Sequence, residues 1–463
     1  MQSSPVNSAI SVPVARPAAT PVPAAEIVAR AATTATAAVA TALVVTVDPT
    51  IPRVTLTDLQ ITQLNSGLTV ATERVPGALS VATGVWVGVG ARDEPEALSG
   101  VTHFLEHLLF KGTERRSAID ISRTIDRFGG DINAFTTKEY TAYYCRLPAR
   151  FADVGVDLLG DVLTGPALRE AEMEIERLVI LEEIAMDDDS PDDVAHRVFG
   201  EEMFLDHPLG RDTAGAPETV ETITVHDVRR FFEERYTAGS MVVSIAGAAP
   251  HDEMLNLVER SFVNVRSGDG RTPRTSPAAM GGDRRVDDDT EQVHLVVGGR
   301  AIPRGDSDRE ALDVVNHVLG GGLSSRLFEE IREKRGLVYS VFSGIGLYSD
   351  VGAYSIAAGT QPKHADEVLH LIRLELRRLV ADGITDDELD VARGYLTGSF
   401  ELGLEDTASR MARNGGSLCT RGSVVDVAEQ VRRWNSVSLD DTRRVIERVF
   451  AAEPLVVTVG PAE

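Results

Sequence analysis

Cysteine, long apolar runs and basic residues are all scarce in this chain. Its 463 residues include only Cys145 and Cys419, which lie too far apart for a CxxC metal site and do not make a disulfide framework. We therefore expect free thiols in a reducing compartment. No stretch of about 18 charge-free, strongly apolar residues occurs, so the sequence predicts no membrane-spanning helix.

The shortage of basic residues makes the chain strongly acidic. It has 46 Lys and Arg against 71 Asp and Glu, which gives a formal net charge of −25. An acidic surface repels phosphate groups, so this balance argues against nucleic acid or an anionic membrane as the main partner. The excess acidic residues either attract basic ligands or form an ordinary solvated surface, and composition leaves both interpretations open.

A length of 463 residues predicts more than one folding unit, and a hydrophobic content of 43% is typical of a globular protein. Residues 1–52 differ from the rest. They are dominated by Ala, Pro, Val, Thr and Ser, which predicts a disordered extension. Its apolar part makes a poor signal peptide, and Arg16 and Arg30 are too few basic residues for a convincing transit peptide.

From residue 53 onward the sequence contains two similar halves. Val87 and Gly88 recur as Val297 and Gly298, and VHDVRRFFEERY resembles LDDTRRVIERVF near the ends of the halves. Matches over several elements indicate an internal duplication. We therefore predict an α+β fold of two homologous α/β-sandwich halves, each a mixed or antiparallel sheet covered by helices.

The predicted domains and elements follow from composition and periodicity. We expect an N-terminal half at 53–265, a linker rich in Gly, Pro, Arg and Asp at 266–289, and a C-terminal half at 290–463. Strands are predicted at 82–90, 140–147 and 240–247, and a helix at 170–186.

The motif HFLEH at residues 103–107 carries the clearest chemistry. On a helix, His103 and His107 are one turn apart on one face, so both imidazoles can ligate one zinc ion. Glu106 lies on the same side and is placed to act as a general base on a water molecule. The alternative is a helix with surface histidines, but Phe104, Leu105 and Leu108 make the surroundings apolar and indicate a partly buried cleft.

A catalytic zinc site needs a third protein ligand. The predicted helix at 170–186 offers several carboxylates, and the residues alone do not choose among them: Glu172, Glu174, Glu176, Glu182 and Glu183. The second half places Asp313, Asn316 and His317 at the positions of the HFLEH residues, so we expect no zinc there.

Five segments together carry a family resemblance. They are GVTHFLEHLLFKGT from Gly100, GGDINAFTTKEYTAYY from Gly129, ERLVILEEI from Glu176, HPLGR from His207 and GGGLSSRLFEEIREKRGLVYSV from Gly320. On these motifs the sequence resembles the pitrilysin-like inverzincin metallopeptidases. Within them it is similar to the processing-peptidase branch, which includes the catalytic β subunit of mitochondrial processing peptidase and its bacterial relatives.

The resemblance implies a zinc metalloendopeptidase with one Zn²⁺ per chain. It implies that Glu183 is the third ligand and that Glu176 supports the site by a hydrogen bond to a ligating histidine. It also implies that Arg332 and Tyr339 reach the substrate from the second half and stabilise the developing oxyanion. The alternatives are a plain helix charge for Glu176, a surface ion pair for Arg332 and a core position for Tyr339.

The resemblance further implies how the substrate binds. A peptide adds to a sheet edge at 131–137, which makes Asn133, Ala134 and Phe135 substrate-binding residues. An ordinary internal strand is the alternative.

In processing-peptidase relatives the zinc motif and the Arg/Tyr pair can lie on different subunits, whereas one chain carries both here. The resemblance therefore implies a self-sufficient homodimer, and we expect it in the bacterial cytoplasm. A heterodimer with a zinc-less homologue and an organellar matrix location are less favoured. A non-catalytic structural subunit and a peptide-binding regulator of the same fold are the rival functions.

Overall fold

A computed structural model of the chain describes residues 58–462. The predicted disordered extension at 1–52 lies outside the described residues. The strands are β1 Leu59–Gln63, β2 Thr69–Arg74, β3 Ser80–Val87, β4 Asp131–Thr136, β5 Thr141–Pro148, β6 Met241–Gly247, β7 Arg284–Asp287, β8 Val293–Ala301, β9 Val338–Leu347, β10 Gly352–Thr360 and β11 Leu455–Gly460.

Helices fill most of the sequence between the strands. They are α1 Val101–Leu109, α2 Ala118–Phe128, α3 Ala152–Thr164, α4 Glu170–Asp188, α5 Pro191–Met203, α6 Pro217–Val220, α7 Val225–Arg235, α8 His251–Ser261, α9 Arg309–Asn316, α10 Ala365–Asp382, α11 Asp386–Gly403, α12 Thr407–Arg421, α13 Val427–Ser436 and α14 Leu439–Phe450. The predicted strands correspond to β3, β5 and β6, and the predicted helix corresponds to α4.

The two sheets have the same topology. The first runs β1-β2-β6-β3-β5-β4 and the second β7-β11-β8-β10-β9, so five strands correspond in order and β1 is an addition. In each sheet one pair is parallel, β2 with β6 and β7 with β11, and the remaining pairs are antiparallel. This correspondence confirms the predicted α+β fold with duplicated halves.

Local sequence explains why equivalent helices begin where they do. Thr224 caps α7 and Ser438 caps α14, and each accepts a hydrogen bond from the backbone N–H three residues later. Asp227 and Asp441 return the bond to the cap residue, which completes a capping box in both repeated segments.

Each half lends one helix to the sheet of the other half. α5 packs on β8 and β11, where Phe199 and Met203 join the apolar surface of the second sheet. α12 packs on β3 and β6, where Met411 and Leu418 form one cluster with Trp86. Strand β3 alternates, with Val85 in the main core and Trp86 beneath α12. The exchanged helices therefore cover the sheet faces that each half leaves open.

A buried carboxylate also joins the halves. Glu139 lies in the turn between β4 and β5, and its side chain is 1% exposed. It forms ion pairs with Arg92 at 2.8 Å, Arg304 at 2.8 Å and Arg274 at 3.4 Å, and it accepts a hydrogen bond from the Ser349 backbone N–H at 3.0 Å. A buried charge is stable only when it is paired in this way. The turn that ends β4 is thus anchored to the second half.

The segment predicted as a linker, 266–289, ends in a short strand. Residues Arg284–Asp287 form β7, which pairs with β11 in parallel. Sequence patterning did not predict this strand, because the residues of β7 are mostly charged and exposed and lack an apolar pattern. The predicted domain boundaries stay a prediction.

Candidate metal centre

Helix α1 begins at a turn that glycine makes possible. Gly100 has φ of +95°, and a Cβ there would lie 2.5 Å from the Ala214 carbonyl oxygen. The buried Glu94 carboxylate accepts hydrogen bonds from the N–H groups of Gly100 at 2.8 Å and Thr102 at 2.7 Å. It therefore satisfies two of the amides that a helix leaves free at its N-terminus. Burial raises the pKa of Glu94 to about 7, against the opposing effect of these bonds.

Helices α1 and α4 bring three candidate ligands together. His103 and His107 lie on α1, and Glu183 lies on α4. One ligand atom from each side chain lies within 4.8 Å of the other two. The two imidazole rings are 4.7 Å apart between centroids, and Nε2 of His107 is 3.6 Å from Oε2 of Glu183. This arrangement places two nitrogens and one oxygen around a common point.

The donor set fits a zinc ion. Two imidazoles and one carboxylate are a zinc ligand set that leaves a coordination position open. Burial, with a smaller effect from His107, lowers the pKa of His103 to about 3, so its imidazole is neutral. Among residues 58–462, Nδ1 of His103 is buried and has no hydrogen-bond partner. A helix with ordinary surface histidines does not explain a buried imidazole nitrogen that lacks a partner.

His107 is held by a second carboxylate. Nδ1 of His107 lies 3.1 Å from Oε2 of Glu176, whose side chain is 4% exposed. A carboxylate oxygen accepts, so Nδ1 carries the proton and leaves the Nε2 lone pair free. Burial lowers the pKa of His107, but the bond to Glu176 and the charges of Glu183 and Glu106 outweigh burial, so the pKa is raised. The other oxygen of Glu176, Oε1, is 2.6 Å from Nζ of Lys111.

Glu106 lies on α1 between the two histidines. The Thr136 hydroxyl, at the end of β4, donates a hydrogen bond of 2.5 Å to Oε2 of Glu106. Burial raises the pKa of Glu106, although the bond from Thr136 and the charge of His107 oppose the shift. A carboxylate with a raised pKa suits general base chemistry near neutral pH.

Strand β4 is an edge of the first sheet and lies beside α1. Among the strands of residues 58–462 it pairs only with β5, so the alternative of an internal strand is wrong. Thr136 contacts Glu106. Because side chains alternate between the two faces of a strand, Ala134 lies on the same face of β4 as Thr136. Asn133 and Phe135 therefore point to the opposite face, where the Phe135 ring lies 6.2 Å from that of Tyr144. The Asn133 side chain accepts a hydrogen bond of 2.8 Å from the Ala134 N–H.

The structure brings Arg332 and Tyr339 together. The Arg332 guanidinium carbon lies 5.7 Å from the centre of the Tyr339 ring and 4.5 Å from that of Phe328. Tyr339 is 86% exposed, so the alternative of a core tyrosine is wrong. Within residues 58–462 neither side chain forms a hydrogen bond or ion pair with the residues of the metal centre. Their predicted contact with substrate stays a prediction.

Sequence reasoning missed three residues that organise the site: Glu94, Lys111 and Thr136. Lys111 comes just after the end of α1, within the segment GVTHFLEHLLFKGT, so its closeness to HFLEH in sequence was a usable signal. Thr136 shares the strand face of Ala134, which period-two alternation also indicates. Glu94 gave no local signal.

Two family models match the chain in succession. "Insulinase (Peptidase family M16)" matches residues 69–217, and "Peptidase M16 inactive domain" matches residues 222–396. An uncharacterized zinc protease of Streptomyces coelicolor is 42% identical over 410 residues, which cover 86% of this chain and 89% of that protein. This chain belongs to peptidase family M16.

Other M16 relatives extend over similar lengths. An uncharacterized zinc protease of Mycobacterium tuberculosis is 40% identical over 86% of this chain and 92% of its own length. The uncharacterized zinc protease YmxG of Bacillus subtilis is 34% identical over 86% of this chain and 97% of its own length. These matches confirm the resemblance to pitrilysin-like peptidases.

Solved structures share the M16 fold. A peptidase M16 inactive domain from Pseudomonas fluorescens superposes with a TM-score of 0.83 at 19% identity, covering 88% of this chain and 98% of that one. A protease from Helicobacter pylori gives a TM-score of 0.82 at 24% identity, covering 88% and 100%. Among the helices of residues 58–462, none combines the length and apolar character needed to cross a bilayer.

Proposed function

We propose that this M16 protein is a zinc-dependent endopeptidase that cleaves short or unfolded peptides. The observation that carries the proposal is the cluster of His103, His107 and Glu183 with Glu106 on the same helix. The zinc protease names of the relatives support the metal and the reaction class. The intact donor set argues against a purely structural subunit, because such a role does not need the buried, unpaired Nδ1 of His103.

The three donors would hold one Zn²⁺, which supplies Lewis acidity that polarises a peptide carbonyl and makes a water molecule more acidic. The Glu106 carboxylate accepts the proton of that water as it attacks the carbonyl, and later delivers the proton to the leaving amine. Thr136 holds one Glu106 oxygen, which leaves the other oxygen for the water. Glu176 orients His107 through Nδ1.

Substrate binding is proposed at the free edge of β4. A peptide strand that pairs there uses main-chain hydrogen bonds, which accept many sequences. The Ala134 N–H is held by the Asn133 side chain, so an incoming carbonyl would replace that bond. Phe135 and its aromatic neighbours lie on the other face and would stiffen the strand rather than touch the scissile bond.

Arg332 and Tyr339 are proposed to contact the substrate carbonyl. Within residues 58–462 they lie against each other, and neither forms a hydrogen bond or ion pair with the residues of the metal centre. We therefore propose a homodimer in which this pair belongs to the chamber where the peptide is cut. A heterodimer with a zinc-less homologue remains the alternative arrangement, and activity of the purified single chain separates the two.

The test is cleavage of a quenched fluorescent, unstructured peptide that contains arginine, by the purified chain with and without a chelator. We expect chelator-sensitive cleavage, and Glu106→Gln should lower kcat by about 100- to 10,000-fold, the range for loss of a general base. Zinc content should stay unchanged in that variant. Glu182→Gln is the matched control, since Glu182 neighbours Glu183 on α4 but points into solvent.

Two results contradict the proposal. Cleavage that survives Glu106→Gln excludes the assigned base. Bound zinc without cleavage of any peptide, by the chain alone, indicates a partner subunit or a peptide-binding role.

A further inference from the structure

Lys111 takes part in the metal centre through Glu176. Its Nζ lies 2.6 Å from Oε1 of Glu176, while Oε2 of the same carboxylate lies 3.1 Å from Nδ1 of His107. The Glu176 side chain is 4% exposed and that of Lys111 is 37% exposed. The partly exposed Lys111 ammonium therefore binds one oxygen of the buried Glu176 carboxylate, and the other oxygen binds His107, a candidate zinc ligand.

The ion pair between Lys111 and Glu176 compensates for the burial of the Glu176 charge. A buried carboxylate is costly without a partner for its charge, and a salt bridge of good geometry compensates for much of that cost. With each oxygen held by one partner, the carboxylate plane cannot rotate freely. The Nδ1–H of His107 then has one acceptor position, which sets the direction of the imidazole ring and of its Nε2 lone pair.

The second half of the chain supports this assignment. When the two halves are aligned so that Val87 matches Val297, Gly321 takes the position of Lys111. Where the first residues of α4 and α11 are aligned, Ala392 stands at the position of Glu176. Both members of the ion pair are therefore present in the half with the metal donors and absent from the half without them.

We propose that Lys111 is a positioning residue of the zinc site, which holds Glu176 so that His107 presents Nε2 to the metal. This inference deepens the proposed zinc site and rests on it. Its consequence is that Lys111 tightens zinc binding without touching zinc, substrate or Glu106. Outer partners of this kind change metal affinity by about 10- to 100-fold.

The experiment measures zinc affinity of the apo full-length chain in competition with a chromophoric chelator. We expect Lys111→Met to raise the zinc Kd by about 10-fold or more. Lys111→Arg, which keeps the cation, should restore most of the affinity. Lys363→Met is the matched control, because Lys363 is exposed in the second half and far along the chain from the site.

A second readout separates positioning from general destabilisation. Cobalt(II) bound in place of zinc has a visible spectrum that reports ligand geometry, so Lys111→Met should change that spectrum and Lys363→Met should not. Unfolding of the apo proteins measures stability separately. If Lys111→Met does not fold, the ratio of zinc affinities between Lys111→Arg and Lys111→Gln carries the test.

The outcomes are distinct for the two proposals. Wild-type affinity and an unchanged cobalt spectrum in Lys111→Met would overturn the role of Lys111 and leave the proposed peptidase intact. A wild-type chain that binds no zinc would overturn both proposals. Because no peptide is cleaved in this experiment, an inactive but zinc-binding chain still gives a decisive answer about Lys111.

Discussion

The two halves of this protein share a fold and differ in chemistry. Their sheets have matching strand order. In each half a helix follows the equivalent central strand, α1 after β3 and α9 after β8. Helix α1 carries His103, Glu106 and His107, whereas the second half has Asp313, Asn316 and His317 at these positions. Among residues 58–462 the shared fold therefore carries a cluster of candidate metal ligands in the first half and none in the second.

The second half uses its corresponding side chains for packing. Asp313 accepts a hydrogen bond of 3.1 Å from the Trp434 indole N–H. The buried His317 ring stacks on Tyr395 with centroids 4.1 Å apart. When α4 and α11 are aligned by their first residues, Ser399 replaces Glu183. The comparison indicates that the shared fold does not depend on the candidate metal donors, because the second half keeps the same strand order with other side chains at those positions.

The largest expected effect comes from the histidines. His103→Gln and His107→Gln should each abolish stoichiometric zinc binding, because a site with two remaining donors holds zinc weakly. His317→Gln should leave zinc content unchanged. Elemental analysis of the purified chains measures this contrast. Loss of metal in His317→Gln would break the comparison, since it would reveal a donor role in the second half.

A smaller effect is expected from Thr136. Thr136→Val removes the hydrogen bond to Glu106 but keeps the shape of the side chain. A hydrogen bond to a charged group is worth about 1.5–3 kcal/mol, so kcat should fall by about 10- to 100-fold while KM changes little. Thr136→Ser should restore activity, because it keeps the hydroxyl.

Asn316 supplies the control for Thr136 in the second half. It occupies the position of Glu106, and its amide lies 3.5 Å from the Ser343 carbonyl oxygen on the corresponding edge strand β9. Asn316→Ala should leave kcat unchanged. An equal loss of kcat in both variants would indicate a general structural effect and would contradict the role of Thr136.

The exchanged helices give a prediction of stability. In Gly415→Ala a new Cβ on α12 would lie 2.1 Å from Cε3 of Trp86. Such overpacking costs about 1–3 kcal/mol of unfolding free energy. At Gly416 the nearest atom, Nε1 of Trp86, is 3.8 Å away, so Gly416→Ala should gain up to about 1 kcal/mol from helix propensity. Urea unfolding measures both, and equal midpoints would contradict the close packing of α12 on the first sheet.

The smallest effect concerns Asp313. Burial raises its pKa to about 6 from an ordinary 3.8, so the folded chain keeps a proton that the unfolded chain releases. As pH rises from about 4 to about 6, the free energy of unfolding therefore falls because of this carboxyl. Asp313→Asn should stabilise the protein by on the order of 1 kcal/mol above pH 6, and the gain should vanish below pH 4.

Unfolding measured from pH 4 to pH 8 checks that prediction. A stabilising effect that does not depend on pH would exclude the Asp313 carboxyl as its cause. Zinc content should be the same in Asp313→Asn and wild type, which keeps this test separate from the metal centre.

Local periodicity explains what the sequence could predict. A helix returns to the same face after one turn, so HFLEH alone places His103, Glu106 and His107 together. Strand-like spacing of valine and tyrosine predicted β3 and β5, and a continuous apolar run predicted β6. The matching of repeated segments predicted the duplicated α+β fold. The helix and strand assignments depend on neighbours in the chain, because the period of each backbone conformation decides which side chains share a face.

Contacts between distant elements were decided only by the tertiary structure. From its residues, α4 offered several candidate carboxylates, and the packing of α1 against α4 brings Glu183 near His107 and places Glu176 behind it. The bonds from Thr136 to Glu106 and from Lys111 to Glu176, and the exchange of α5 and α12, join segments far apart in sequence. Their distances depend on how whole helices and sheets pack, and no local pattern of residues specifies that packing.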